Sequence, residues 1–157
     1  MNYSIREMRK EEYSLLGDFL YEAIYIPDGT AAPPKSVIAC PELQVYIADF
    51  GNSKHDKALI AEVDGNIVGA IWARIMNDYG HIDDKTPSLA ISLYKKYRGQ
   101  GIGRILIKEM LSLLQAHSYK HVSLSVQKTN YAAKLYQKIG FRIIKEIGDE
   151  WIMTYDL

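Results

Sequence analysis

The chain has 157 residues and a mass of 17.9 kDa, a length that suits one domain spanning residues 1–157 around one core. Hydrophobic residues make up 48% and charged residues 24%, close to the globular average, which argues against disorder and low-complexity sequence. Lys plus Arg is 19 and Asp plus Glu is 19, so no net charge draws the chain toward nucleic acid or an anionic membrane.

No run of 18 apolar residues is present, so no membrane-spanning helix is expected. The start, Met1 to Arg6, lacks a basic segment followed by an apolar one and does not read as a signal peptide. Cys40 is the only cysteine, which leaves no intrachain disulfide. Together these features favour a cytoplasmic location.

Tyr3 to Met8 reads as a first strand. Lys10 to Tyr25 carries Tyr13, Leu16, Leu20, Ala23 and Ile24 at helical spacing and predicts an amphipathic helix. Ile26 to Pro41 holds four of the five prolines and reads as a loop with one short helical turn, of a length that often serves as a lid or substrate wall. Pro41-Glu42 opens a second predicted helix running to about Phe50. Ala58 to Val63 and Ile67 to Met76 are apolar runs joined by Asp64-Gly65-Asn66, a hairpin signal.

Asn77 to Pro87 is polar and turn-rich, and its acidic residues Asp78, Asp83 and Asp84 read first as a solvated loop. Ser88 to Leu93 is a short strand with Leu89, Ile91 and Leu93 on one face and Ser88, Ala90 and Ser92 on the other. A helix follows Gly101 to about Ser118, with Ile102, Leu106, Met110 and Leu113 as its buried stripe. His121 to Val126 is a strand, Asn130 to Ile139 a helix stopped by Gly140, and Phe141 to Glu146 and Trp151 to Tyr155 a terminal strand pair. The strand-helix-strand unit from Ser88 to Val126 implies a parallel pair. The hairpins imply antiparallel neighbours. The fold class is therefore α/β in the α+β sense, a mixed, mostly antiparallel central sheet with flanking helices.

The most informative segment is Leu93-Tyr94-Lys95-Lys96-Tyr97-Arg98-Gly99-Gln100-Gly101-Ile102-Gly103-Arg104. A strand ends, three glycines alternate with other residues, and a helix begins. Residues without Cβ let successive N–H groups converge, and a helix N-terminus favours an anion. Lys95, Lys96, Arg98 and Arg104 add positive charge. The segment reads as a phosphate or pyrophosphate cradle. It has neither the Walker spacing nor the dinucleotide G-x-G-x-x-G spacing.

Arg98-Gly99-Gln100-Gly101-Ile102-Gly103 after an apolar strand resembles the acetyl-CoA signature of the GCN5-related N-acetyltransferases (GNAT). Asn130-Tyr131-Ala132-Ala133-Lys134-Leu135-Tyr136-Gln137-Lys138-Ile139-Gly140-Phe141 resembles that family's following helix. The resemblance covers about Ser88 to Ile144 and implies the acyl-CoA N-acyltransferase fold. It further implies that acetyl-CoA (coenzyme A) pairs its pantetheine arm with the backbone of Ile91 and Leu93. The pyrophosphate would lie on amides from Arg98 through Gly99, Gln100, Gly101, Ile102, Gly103 and Arg104.

In this family's chemistry Leu93 N–H would stabilise the developing oxyanion, and Tyr136 would protonate the leaving sulfur. Asn130 matches the family asparagine at the helix start and also suits an N-cap. The implied activity is direct acetyl transfer to a primary amine of a small molecule or peptide. The alternative is a non-catalytic acyl-CoA-binding or sensor module.

Many family members carry a glutamate on the strand before the glycine loop. Ser88, Ala90 and Ser92 hold that face here, and none can act as a base. The general-base candidates are Glu62, His81, Asp83, Asp84 or a water chain. His117 and His121 have metal-like spacing, but His121 falls on the next strand and no Cys or carboxylate completes a site, so no metal is expected. No nucleic-acid or membrane partner is expected, and family habit allows a homodimer.

Overall fold

The computed structural model describes residues 2–157. Seven strands form one sheet: β1 (Tyr3–Glu7), β2 (Lys57–Val63), β3 (Asn66–Arg74), β4 (Ser88–Leu93), β5 (His121–Gln127), β6 (Arg142–Ile147) and β7 (Glu150–Asp156). Their spatial order is β1-β2-β3-β4-β5-β7-β6, with β7 inserted between β5 and β6. Every neighbouring pair is antiparallel except β4 and β5. The helices are α1 (Leu16–Ala23), α2 (Pro41–Gln44), α3 (Ile102–Ala116) and α4 (Ala132–Ile139). The mixed, mostly antiparallel sheet expected from the sequence is the one observed.

Local chemistry explains the elements. Asp64 and Gly65 both take positive φ, 51° and 84°, the backbone of a two-residue hairpin turn between β2 and β3. The stripe on α3 buries Ile102, Leu106 and Met110 with Leu114, while Leu113 is only half-buried. Each such side chain contributes about 1.5–3 kcal/mol through removal from water. That stripe meets Leu59, Ile71, Leu89 and Val122 on one sheet face. The other face packs Ala58, Ile60, Ala70 and Trp72 against Leu16, Phe19 and Leu20 of α1.

Two predicted helices are shorter than their periodicity implies. Lys10–Leu15 is a 3-10 turn, and the α-helix begins only at Leu16. There Glu12 accepts the Arg9 N–H at 2.7 Å and two guanidinium bonds from Arg6 at 2.8 Å, which ties the turn to β1. The helix predicted from Pro41 to Phe50 ends at Gln44. Arg74 donates to the carbonyls of Val45 and Ala48 at 3.1 and 2.9 Å, and Trp72 Nε1 to that of Tyr46 at 3.0 Å. β3 therefore claims acceptors that a continuing helix would use, and the segment is pinned as turns. The proline-rich Ile26 to Pro41 stretch is a loop with one 3-10 turn, Lys35–Ala39.

Candidate functional site

β4 and β5 are parallel, but only Ser88 and Ser123 pair, after which the two strands part. The hydrogen-bonding sense of β4 follows from its register with β3. Tyr94 N–H reaches Val68 O at 2.9 Å, and antiparallel bonding alternates along the strand. The backbone groups of Ile91 and Leu93 therefore face away from β3, into the widening gap toward β5. An extended ligand can pair there as an added strand.

At the open end of that gap the chain turns into α3. Gly99 and Gly101 take positive φ, 74° and 88°, and nothing lies within 4 Å of where a Cβ would stand. The amides of Gly99, Gln100, Gly101, Ile102, Gly103 and Arg104 donate to no backbone carbonyl, and the first bond closing the helix runs from Ile105 N–H to Gly101 O at 3.3 Å. Six consecutive free donors at the N-terminus of a 15-residue helix make an anion cradle. The residues present thus fit a diphosphate-bearing cofactor.

Gly103 sits in the first turn of α3. A Cβ there would lie 3.8 Å from Leu93 Cδ1 and 4.0 Å from Ile91 Cδ1. Arg98 departs from its expected backbone role: its N–H already donates to Lys95 O at 3.2 Å. Its guanidinium bonds Leu93 O at 2.9 Å and Glu22 at 3.2 Å, linking the end of β4 to α1. Arg98 shapes the cradle more than it lines it.

Tyr136 projects from α4 into the apolar cluster that holds Leu89, Leu124 and Val126, with Ile91 and Leu93 packed against it. Its ring stands 6.0 Å from that of Phe141. Burial pushes the phenol up to about 12, so it is a protonated donor at neutral pH. The Asn130 Oδ1 accepts the Ala132 N–H at 3.0 Å in a turn that leads into α4, which starts at Ala132, after Tyr131, rather than at Asn130. The structure puts the side chains of Ile91 and Leu93, the start of α3 and Tyr136 on one face of the sheet.

The base candidates fare differently. Glu62 is held by Arg6 at 2.7 Å, and that guanidinium also binds Glu12. Asp83 turns back to the Lys85 N–H at 2.8 Å and Asp84 is exposed. His81 lies 3.8 Å from Asp84 through Nε2, and its buried Nδ1 has no partner. Asp78, read from sequence as part of a solvated loop, is half-buried and accepts the Ser88 hydroxyl at 2.9 Å. Desolvation raises its pKa above the usual carboxylate value. The signal for it was faint: a serine in a buried strand, and a glycine two residues after the aspartate.

A model of the acetyltransferase (GNAT) family matches residues 20–141. The chain belongs to the GNAT acetyltransferase family. Among its relatives, an N-alpha-acetyltransferase of Sulfurisphaera tokodaii is 30% identical over 118 residues, covering 69% of this chain and 71% of that protein. N-acetylaspartate synthetase of Rattus norvegicus is 36% identical over 85 residues, 53% of this chain but 27% of that protein. The GNAT chain here thus spans about a quarter of that longer relative's length.

The PaiA N-acetyltransferase of Thermoplasma acidophilum, solved with coenzyme A, shares the fold at a TM-score of 0.73 and 20% identity, with both chains fully covered. A GNAT acetyltransferase of Streptococcus pneumoniae does so at 0.70 and 23%, over 99% of this chain and 100% of that one.

Proposed function

We propose that this GNAT chain is an acetyl-CoA-dependent N-acetyltransferase acting on a primary amine of a small molecule or peptide. The observation that carries the reading is the run of six free amides, Gly99 to Arg104, at the open end of the β4–β5 gap. Coenzyme A would supply an acetyl thioester there. The chain's residues do the rest. The loop amides hold the diphosphate, and the backbone of Ile91 with the Leu93 N–H, all facing the gap, aligns the arm, while Arg98 occupies the Leu93 carbonyl.

Leu93 N–H meets charge that develops on the thioester oxygen. Tyr136 gives a proton to the departing sulfur, a transfer to an anion that a protonated phenol can make. No side chain placed as an acyl nucleophile enters this scheme, so the amine attacks directly. The cleft beside the gap, about 230 Å³ and lined by Glu42, Asn77, Asp78 and Tyr79, suits a cationic acceptor. Its free cysteine, Cys40, fits a reducing compartment, and we place the enzyme in the cytoplasm. No helix among the described residues is long and apolar enough to cross a membrane.

Two measurements test the reading. Coenzyme A should raise the melting temperature of the wild type and not of Gly101→Glu, whose side chain would fill the cradle with negative charge. Thiol release from acetyl-CoA should appear with amines of a panel and fall in Tyr136→Phe. Binding without release on any amine would favour the sensor module instead.

A further inference from the structure

The face of β4 turned toward α1 carries Ser88, Ala90 and Ser92, and none of these side chains can take a proton from an ammonium. We propose that Asp78, held at the closed end of the β4–β5 gap by Ser88, is the group that takes the proton from the acceptor amine. The proposal rests on the acetyltransferase reading and assigns the step that reading leaves open.

The geometry is built from both diverging strands. Ser88 is fully buried on β4 and forms the single residue pair that joins β4 to β5. Its hydroxyl donates to Asp78 Oδ1 at 2.9 Å. Ser123, its partner on β5, donates to Gly80 O at 2.6 Å. Gly80 is packed so closely that a Cβ would lie 3.2 Å from the Leu124 carbonyl carbon and 3.3 Å from Ser125 N. The 78–80 turn is thus sewn to the point where the strands part.

A thioester whose diphosphate lies at the glycine loop and whose arm runs back along Leu93 and Ile91 ends beside that point. Tyr136 and the amides act from the α3 and α4 face of the sheet. Ser88 and Asp78 stand on the α1 and α2 face, which leaves the amine a separate approach.

Every element around Asp78 bears on its charge. The Tyr46 hydroxyl, from the turns after α2, lies between Asp78 and Ser125 of β5. That tyrosine is fixed by the bond from Trp72 to its carbonyl. Glu150 of β7 is close enough for Asp78 to raise its pKa. Glu42 and Tyr79 share the cleft. No cation is among these groups. Burial lifts Asp78 above the ordinary carboxylate range while the Ser88 and Tyr46 hydroxyls draw it back. A carboxylate so placed can both attract an ammonium and accept its proton.

The protons balance. Of the three on the ammonium nitrogen, one remains on the amide. One passes to Asp78 and then to solvent. The third passes to solvent as the C–N bond forms and the C–S bond breaks; sulfur takes its proton from Tyr136, and the Tyr136 phenolate regains one from solvent, so one proton is released overall.

The test compares wild type, Asp78→Asn, Asp78→Glu and Ser88→Ala with an amine that the wild type acetylates. Asp78→Asn should lower kcat/KM for that amine on the order of 10²–10³-fold and abolish the acidic limb of its pH profile. The coenzyme A melting shift should stay intact, which shows that the variant is folded and the cradle whole. Asp78→Glu should restore part of the rate. Ser88→Ala should move the acidic limb to higher pH, because one donor to the carboxylate is gone.

An Asp78→Asn enzyme within threefold of wild type, with an unchanged pH profile, would overturn the assignment and leave the acetyltransferase reading standing. A wild type that binds coenzyme A but acetylates no amine would overturn both.

Discussion

Gly69 on β3 stands directly across from Leu93 on β4, and the Leu93 side chain occupies the space that any side chain at 69 would need. The residue whose amide faces the β4–β5 gap is therefore seated by an absence of Cβ one strand away. Gly69→Ala should push Leu93 out of register and destabilise the fold by about 1–3 kcal/mol, the usual cost of overpacking. Thermal denaturation with and without coenzyme A checks this: both the melting temperature and the ligand-induced shift should fall.

Two glycines of the cradle should behave oppositely. Gly101 has φ of 88°, so Gly101→Ala should cost roughly 1–2 kcal/mol of backbone strain although space for the methyl exists. Gly103 is helical, with its nearest Cβ contact at 3.8 Å, so Gly103→Ala should be neutral or stabilise by up to about 1 kcal/mol. Urea denaturation of the two variants gives the comparison directly.

Tyr136 has a second signature besides the proton transfer proposed for it. Its folded pKa is raised by burial to about 12, above the value of 10.0 for a free tyrosine. Above pH 10 the unfolded chain gives up this proton while the folded chain keeps it, so stability must fall as pH rises from about 10 to about 12. Tyr46, Tyr94 and Tyr119 are also raised, so the measure is a difference. Tyr136→Phe should lose less stability than wild type over that window in denaturant titrations.

At the acid end Glu12 contributes, as do Asp83 and Glu146, whose carboxyls are also held down. The Arg6 guanidinium holds the Glu12 carboxyl down at about 2, against an ordinary 4.5. Its folded pKa is depressed, so its stabilisation is present above pH 4.5 and is lost as pH falls toward 2. Glu12→Gln should flatten the acid limb of the stability curve. Glu62 belongs to the same ion-pair group, and Glu62→Gln should cost at most about 1 kcal/mol of stability in the same titration, since partly exposed pairs of this kind contribute little.

The arrangement of the two carboxylates explains why one candidate was legible and another was not. Glu62 is conspicuous in an apolar strand, yet Arg6, which stands across from Ile60 on β1, reaches it diagonally and ties it into an ion-pair group with Glu12. Asp78 looked like one of three acids in a polar loop. Only the seating of Gly80 against β5 and the turning of Ser88 toward Asp78 set it apart from the exposed Asp84.

Short-range pattern determined most of what this protein is. Alternation marked the strands, and glycines between an apolar strand and an amphipathic helix marked the cradle, because positive φ and free helix-end amides are local properties of a few adjacent residues. The matching helix with Tyr136 was readable for the same reason. What the fold alone decided is non-local. Trp72 and Arg74 capture carbonyls 26–29 residues away and cut α2 short. β4 and β5 part after one residue pair, and a loop aspartate becomes a buried neighbour of that fork. Burial, and with it proton affinity, depends on which distant segments exclude water from a group, and no window of sequence contains that information.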